Sequence, residues 1–181
     1  MDKAEGSYRR FIDGDDNALT EIITEYRDGL ILYINSIVKD LVMAEDLAED
    51  TFVRLFTRKP RLSGEASFKT LLYTIGRNIA IDYLRKEKRK EHMSFDECVE
   101  PASGAEGIED VIIREEQEIA LLKEISKLRP AQSQALWLVY YEGMSVKNAA
   151  GIMKKSVHSV EMLISRAKAE LKKRLTEGGI I

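Results

Sequence analysis

The chain is 181 residues long, with 44% hydrophobic residues, 33% charged residues and a formal net charge of −3, a balance that suits a soluble chain able to build cores. No apolar run approaches the roughly 20 residues needed to cross a bilayer, and the N-terminal MDKAEGSYRR lacks the apolar stretch of a signal peptide, so a cytoplasmic protein without membrane insertion is expected. One cysteine, Cys98, and two histidines, His92 and His158, give neither an internal disulfide nor zinc-type spacing, so no metal and no cofactor is expected.

With only three prolines to interrupt helical patterning, the length fits two compact helical units. Residues 17–40 hold Leu19, Ile22, Ile23, Tyr26, Leu30, Tyr33, Ile34 and Ile37 at helical spacing, which makes one long helix or two stacked around Gly29. A second amphipathic helix covers 44–57, with Leu47, Ala48, Phe52, Leu55 and Phe56 on one side and Asp46, Glu49, Asp50 and Arg54 on the other. Pro60 and Gly64 mark a loop, KPRLSGEAS. Ser67 then caps a third helix, FKTLLYTIGRNIAIDYLRKEKRK, which gathers cations toward its C-terminal end, where the helix dipole favours them.

From about 91 to 107 the sequence has no sustained period, contains Pro101, Gly104 and Gly107, and is acid-rich, so it reads as a flexible linker. Charge is segregated by sign. Residues 91–119 carry ten acids against Arg114 alone, a net of −9 that leaves +6 for the rest, with basic clusters at 85–90 and 154–174. A helix resumes near Ile108 or Glu109 and runs toward Leu128.

Pro130 suits the first turn of a helix reaching about Glu142, with Ala131, Leu136, Val139 and Tyr140 available to its core, and Gly143 ends it. Ser145 caps a short helix to Met153, and Ser156 caps a third. The turn Met153, Lys154, Lys155, Ser156 has no glycine, so a residue there takes positive φ at a cost of about 1 kcal/mol. In the last helix Val157, Val160, Leu163, Ile164, Ala167 and Leu171 share one half of the wheel, and His158, Met162, Ser165 and Ala169 lie opposite. That is the layout of a helix-turn-helix over 145–168, whose last helix buries one side and presents the other, N-terminal end first, to a major groove. Lys154, Lys155, Arg166, Lys168, Lys172, Lys173 and Arg174 are suited to phosphates, which supply affinity without sequence information.

Taken together, AEDLAEDTFVRLF (44–56), SGEASFKTLLYTIGRNIAIDYLRKEKR (63–89) and LRPAQSQALWLVYYEGMSVKNAAGIMKKSVHSVEMLISRAKAEL (128–171) resemble the bacterial sigma factors of the extracytoplasmic function type, minimal members of the sigma-70 family. The resemblance implies an all-α fold of two small domains, region 2 over 1–90 and region 4 over 111–181, joined by the acidic linker 91–110. It implies that Asp46, Glu49, Asp50, Thr51, Phe52 and Arg54 dock on core RNA polymerase, where the residues alone read as a solvated acidic face. It assigns the −10 promoter element to Ser63, Gly64, Ser67, Phe68, Thr70, Tyr73, Arg77, Asn78, Asp82, Arg85 and Lys86. Polar groups would hold flipped bases and cations the separated strand. Tyr73 is either a stacking surface or core, and Leu71 stands where the family often has tryptophan. In region 4 the resemblance gives Lys154, Lys155, Ser156, His158, Ser159, Met162, Ser165, Arg166 and Lys168 to the −35 element. Many relatives are basic where Glu161 and Leu163 stand, and Glu161 is either an acceptor for a cytosine amino group or an exposed acid.

The implied function is a dissociable promoter-specificity subunit with core RNA polymerase and promoter DNA as partners and an anti-sigma factor as its inhibitor. Catalysis is not expected: there is no phosphate loop, no metal spacing and no nucleophile beside a base. The alternative is a stand-alone helix-turn-helix regulator whose N-terminal half senses or dimerises.

Overall fold

The computed structural model describes residues 3–62, 67–93 and 116–177, and the side chains of 5–62, 67–90 and 121–177. Every regular element among them is helical, as the all-α reading expects. Helix α1, Lys3–Ile12, has no counterpart in the sequence reading. Ala4, Tyr8, Phe11 and Ile12 nevertheless recur at helical spacing, a signal the sequence reading passed over, and Tyr8 and Phe11 are buried. The Tyr8 ring lies 4.8 Å from that of Phe68, and its hydroxyl donates to the Pro60 carbonyl at 2.7 Å.

Helix α2, Asn17–Val38, runs unbroken through Gly29, which decides for one long helix. Residues 30–37 are buried on every side. A helix apolar all round belongs in an interior, and α1, α3, Phe68–Met93 and the C-terminal unit all pack on this one. Helix α3, Leu41–Arg58, begins three residues earlier than expected because Asp40 caps it, its Oδ1 accepting from the Met43 N–H at 3.0 Å. Ala44, Leu47, Ala48, Phe52 and Leu55 face the core. Ser67 opens α4, Phe68–Met93, as expected: its hydroxyl accepts from the Thr70 N–H at 3.2 Å.

The C-terminal unit contains α5 (Glu116–Ser126), α6 (Pro130–Leu136), a π-helical turn (Trp137–Tyr141), α7 (Val146–Met153) and α8 (Val157–Glu177). Pro130 stands in the first turn of α6, and Gly143, at φ 64°, ends the segment. One expectation is corrected. The π turn adds a residue per turn and rotates the chain, so Tyr140 is 57% exposed instead of entering the core. Ser145 and Ser156 cap α7 and α8, accepting from the Asn148 and Ser159 N–H groups, each at 3.1 Å.

The positive φ expected between them falls on Lys154, at 54°, where the Lys155 N–H reaches back to the Ala150 carbonyl at 3.0 Å. Replacing Lys154 with glycine is expected to relieve the left-handed strain and raise stability by about 1 kcal/mol. A thermal midpoint that does not rise would count against strain at this turn.

The two units pack against each other, α4 on α7 and α2 on α6. Lys39 reaches across to the Ser126 and Leu128 carbonyls, at 2.5 and 3.3 Å, and burial lowers its pKa to about 8. No described helix is long and apolar enough to cross a membrane.

Candidate nucleic-acid interface

Helix α8 is fixed by one side. Val160, Ile164 and Ala167 are buried, while Leu163 and Leu171 are partly so. Val157, assigned to the buried half by its period, is exposed, because it opens the helix beyond the edge of α7. On the outer side His158, Ser159, Glu161, Met162, Ser165 and Arg166 are all exposed, and the His158 side chain is 83% so. Its Nδ1 lies 4.0 Å from Glu161, too far for a hydrogen bond. Lys154, Lys155 and Ser156 are exposed at the same end, where the helix N-terminus adds its own attraction for anions.

Lys168 does not belong to this face. Two residues beyond Arg166, it points to the other side of α8, with its ammonium 4.3 Å from the centre of the Tyr140 ring. Arg166 instead joins a cleft of about 580 Å³ whose cations are Lys127, Arg129, Arg166, Lys173 and Arg174. Glu170 pairs with Arg174 at 2.9 Å. Sequence reasoning missed Lys127 and Arg129, which precede Pro130 and lie outside the basic runs; only the return of α8 past the start of α6 brings them to Arg166.

On α3 the candidates divide by burial. Asp46, Glu49, Asp50 and Arg54 are exposed. Thr51 and Phe52 are buried and hold the helix in place: the Thr51 hydroxyl donates to the Leu47 carbonyl at 2.7 Å, and Phe52 stacks on Phe56 at 6.0 Å. Val42 and Val53, 72% and 62% exposed, extend the acidic face into a stripe with Asp46 and Glu49 at spacings of four, three and four. The sequence reading places neither valine on a face of this helix, and Val42 precedes the start expected at 44.

Of the residues assigned to the −10 element, Ser63 and Gly64 precede α4 and lie outside the described residues. Phe68 and Tyr73 are buried, Thr70, Arg77 and Asn78 are half-buried, and Asp82, Arg85 and Lys86 are exposed. Arg85 and Asp82 form an exposed pair at 3.4 Å, worth little in water. Tyr73 lies wholly inside, its ring 5.2 Å from that of Tyr33, and its hydroxyl is held protonated, by burial first and the Glu142 carboxylate second. With the units packed as they are, Tyr73 presents no face to a base.

Comparison with known proteins follows the same division. Residues 22–90 match the family model for Sigma-70 region 2, and residues 118–171 match that for Sigma-70, region 4. The chain is 24% identical over 177 residues to the ECF RNA polymerase sigma factor SigW of Bacillus subtilis, covering 91% of this chain and 92% of SigW. It is 26% identical over 165 residues to the ECF RNA polymerase sigma factor BldN of Streptomyces coelicolor, covering 91% of this chain but only 62% of BldN. Among solved structures, the sigma factor RpoE in complex with the anti-sigma factor NepR from Bartonella quintana superposes with a TM-score of 0.67 at 22% identity, over 87% of this chain and 96% of that one. At that identity the likeness concerns the fold.

Proposed function

The chain belongs to the sigma-70 family of RNA polymerase sigma factors, in its extracytoplasmic function group, and on that premise we propose how its faces share the work. Residues 1–90 act as region 2, 91–110 as linker and 111–181 as region 4. The chain binds core RNA polymerase and directs initiation at particular promoters, and it supplies no catalytic group of its own. The observation that carries this reading is the presence, on one chain, of an exposed acidic and valine-lined stripe on α3 and an exposed recognition face on α8.

Asp46, Glu49, Asp50 and Arg54 meet the polymerase, with Thr51 and Phe52 fixing their helix. The loop 63–67 and α4 take the separated −10 strand, where Asn78 and Asp82 offer polar edges to a flipped base and Arg77, Arg85 and Lys86 hold backbone. Helix α8 enters the −35 major groove through His158, Ser159, Met162 and Ser165, while Lys154, Lys155 and Arg166 take phosphates. Glu161, beside them and exposed, lowers the local attraction for DNA. The linker, at the start of a stretch with a net charge of −9, suits the basic clefts of a polymerase. An anti-sigma partner is part of the proposal, supported by the complex with NepR in which the similar fold was solved.

The test is transcription of genomic DNA by core polymerase with and without the purified protein, followed by sequencing of transcript starts. Starts that appear only with the protein and share two upstream motifs are the expected result. Failure to bind core polymerase would sink the reading, and tight sequence-specific binding by the protein alone would favour a stand-alone regulator.

A further inference from the structure

Between the two units lies a charged contact that neither core packing nor helix capping requires. Glu142 follows the π-helical turn, and that turn delivers its carboxylate onto α4 and α2, where the side chain is only 7% exposed. Its Oε2 stands 2.9 Å from the Lys69 ammonium, which also donates to the Glu142 carbonyl at 2.8 Å. Gly29 makes the space: a Cβ there would fall 2.5 Å from Glu142 Oε1 and 2.9 Å from the Tyr73 hydroxyl. The N-terminal unit therefore holds a receptor for one anionic group, made by Lys69 and the bare backbone of Gly29, with the Tyr73 hydroxyl beside it buried and without a hydrogen-bond partner among the described residues.

Lys69, Tyr73 and Arg77 recur every four residues along one side of α4. Two cations flanking an aromatic ring match what a separated nucleic-acid strand offers, phosphates on either side of a base. Arg77 Nε is buried without a hydrogen-bond partner among the described residues, so the stripe is left incompletely satisfied when covered.

Resting on the sigma-factor reading, we propose that Lys69 is a phosphate contact for the separated promoter strand and that Glu142 takes the phosphate's place in the unbound chain, closing the strand-binding stripe of α4 until the units part. The Glu142 carboxylate and carbonyl together take two of the three donors of that ammonium and cover it, so a strand phosphate reaches Lys69 only when Glu142 withdraws. Lys39, bonded to the Ser126 and Leu128 carbonyls, is a second tether across the same boundary. Affinity of the free chain for a single strand is thereby lowered by the fraction of molecules that are open.

The full chain is titrated against a fluorescein-labelled single-stranded 20-mer of mixed sequence, and its radius of gyration is measured by small-angle scattering. Glu142→Gln is expected to tighten binding at least about fivefold and to enlarge the particle. Gly29→Leu should do the same with every charge retained, which separates opening of the units from the mere loss of a negative charge. Adding Lys69→Met to either variant should reverse the gain and reduce the salt dependence by about 0.7 in the log–log slope, the share of one phosphate on a single strand. The proposal is overturned if both opening variants keep the wild-type affinity and size, or if Lys69→Met leaves their gain intact. Promoter-directed transcription by the wild-type chain with core polymerase, run in parallel, is independent of these outcomes and tells failure of the latch from failure of the sigma-factor reading.

Discussion

A chain carrying Asp46→Ala, Glu49→Ala and Asp50→Ala together is expected to lose promoter-directed transcription with core RNA polymerase while melting at nearly the wild-type temperature. All three carboxylates are exposed, and none has an ion-pair partner among the described residues, so the fold does not depend on them. Exposed substitutions of this kind usually shift stability by no more than about 0.5 kcal/mol each, and alanine is the better helix former. In an interface the same charges count for far more. Truncating one partner of a hydrogen-bonded charge pair that has been stripped of water costs about 2–5 kcal/mol, so loss of three should reduce binding well beyond a hundredfold. Pull-down on core polymerase and run-off transcription from one promoter measure the effect. Near-normal transcription would move polymerase docking to another face and leave α3 as a solvated acidic helix.

Much of this architecture was legible because it is set by local rules. Ser67, Ser145 and Ser156 cap the helices they were expected to cap, since a serine oxygen before an apolar period has little else to do there. Pro130 and Gly143 bound their segment for equally local reasons, and the absence of glycine at 153–156 foretold the left-handed Lys154. What escaped depends on partners distant in sequence. Ala4, Tyr8, Phe11 and Ile12 keep a helical period over a single short helix, and the partners that bury it, Phe68 for Tyr8 and Phe56 for Phe11, stand far along the chain. A π turn leaves no periodic trace, so Tyr140 was assigned to the core it is rotated out of. Gly29 was visible as a possible break, but a sequence does not distinguish a hinge from a clearance, and here the glycine clears space for Glu142. Lys168 and Arg166 were grouped by charge, although a two-residue offset on a helix sets them on opposite sides.

Trimming Arg129, Arg166 and Lys173 to alanine is expected to weaken binding of the assembled polymerase to promoter duplex by a similar factor on every sequence, and to flatten its salt dependence. His158, Met162, Arg166, Ala169 and Lys173 follow one another at three- or four-residue spacing along the outer side of α8. At a rise of about 1.5 Å per residue, His158 and Lys173 are about 22 Å apart, whereas the major groove is about 12 Å wide. A helix that inserts its N-terminal end must therefore leave the groove before Lys173, and its C-terminal half passes the phosphates that border it. Arg129 and Lys127 face that half from across the cleft. Each phosphate contact removed should lower the log–log salt slope by about 0.9, so three would remove nearly three units. Lys168→Ala, on the Tyr140 side, should leave the slope as it was. Substitutions at Ser159 or Met162 should instead change which promoters are chosen. If the triple variant lost affinity on one promoter only, with an unchanged slope, Arg166 would be reading a base and the cleft would lie clear of the DNA.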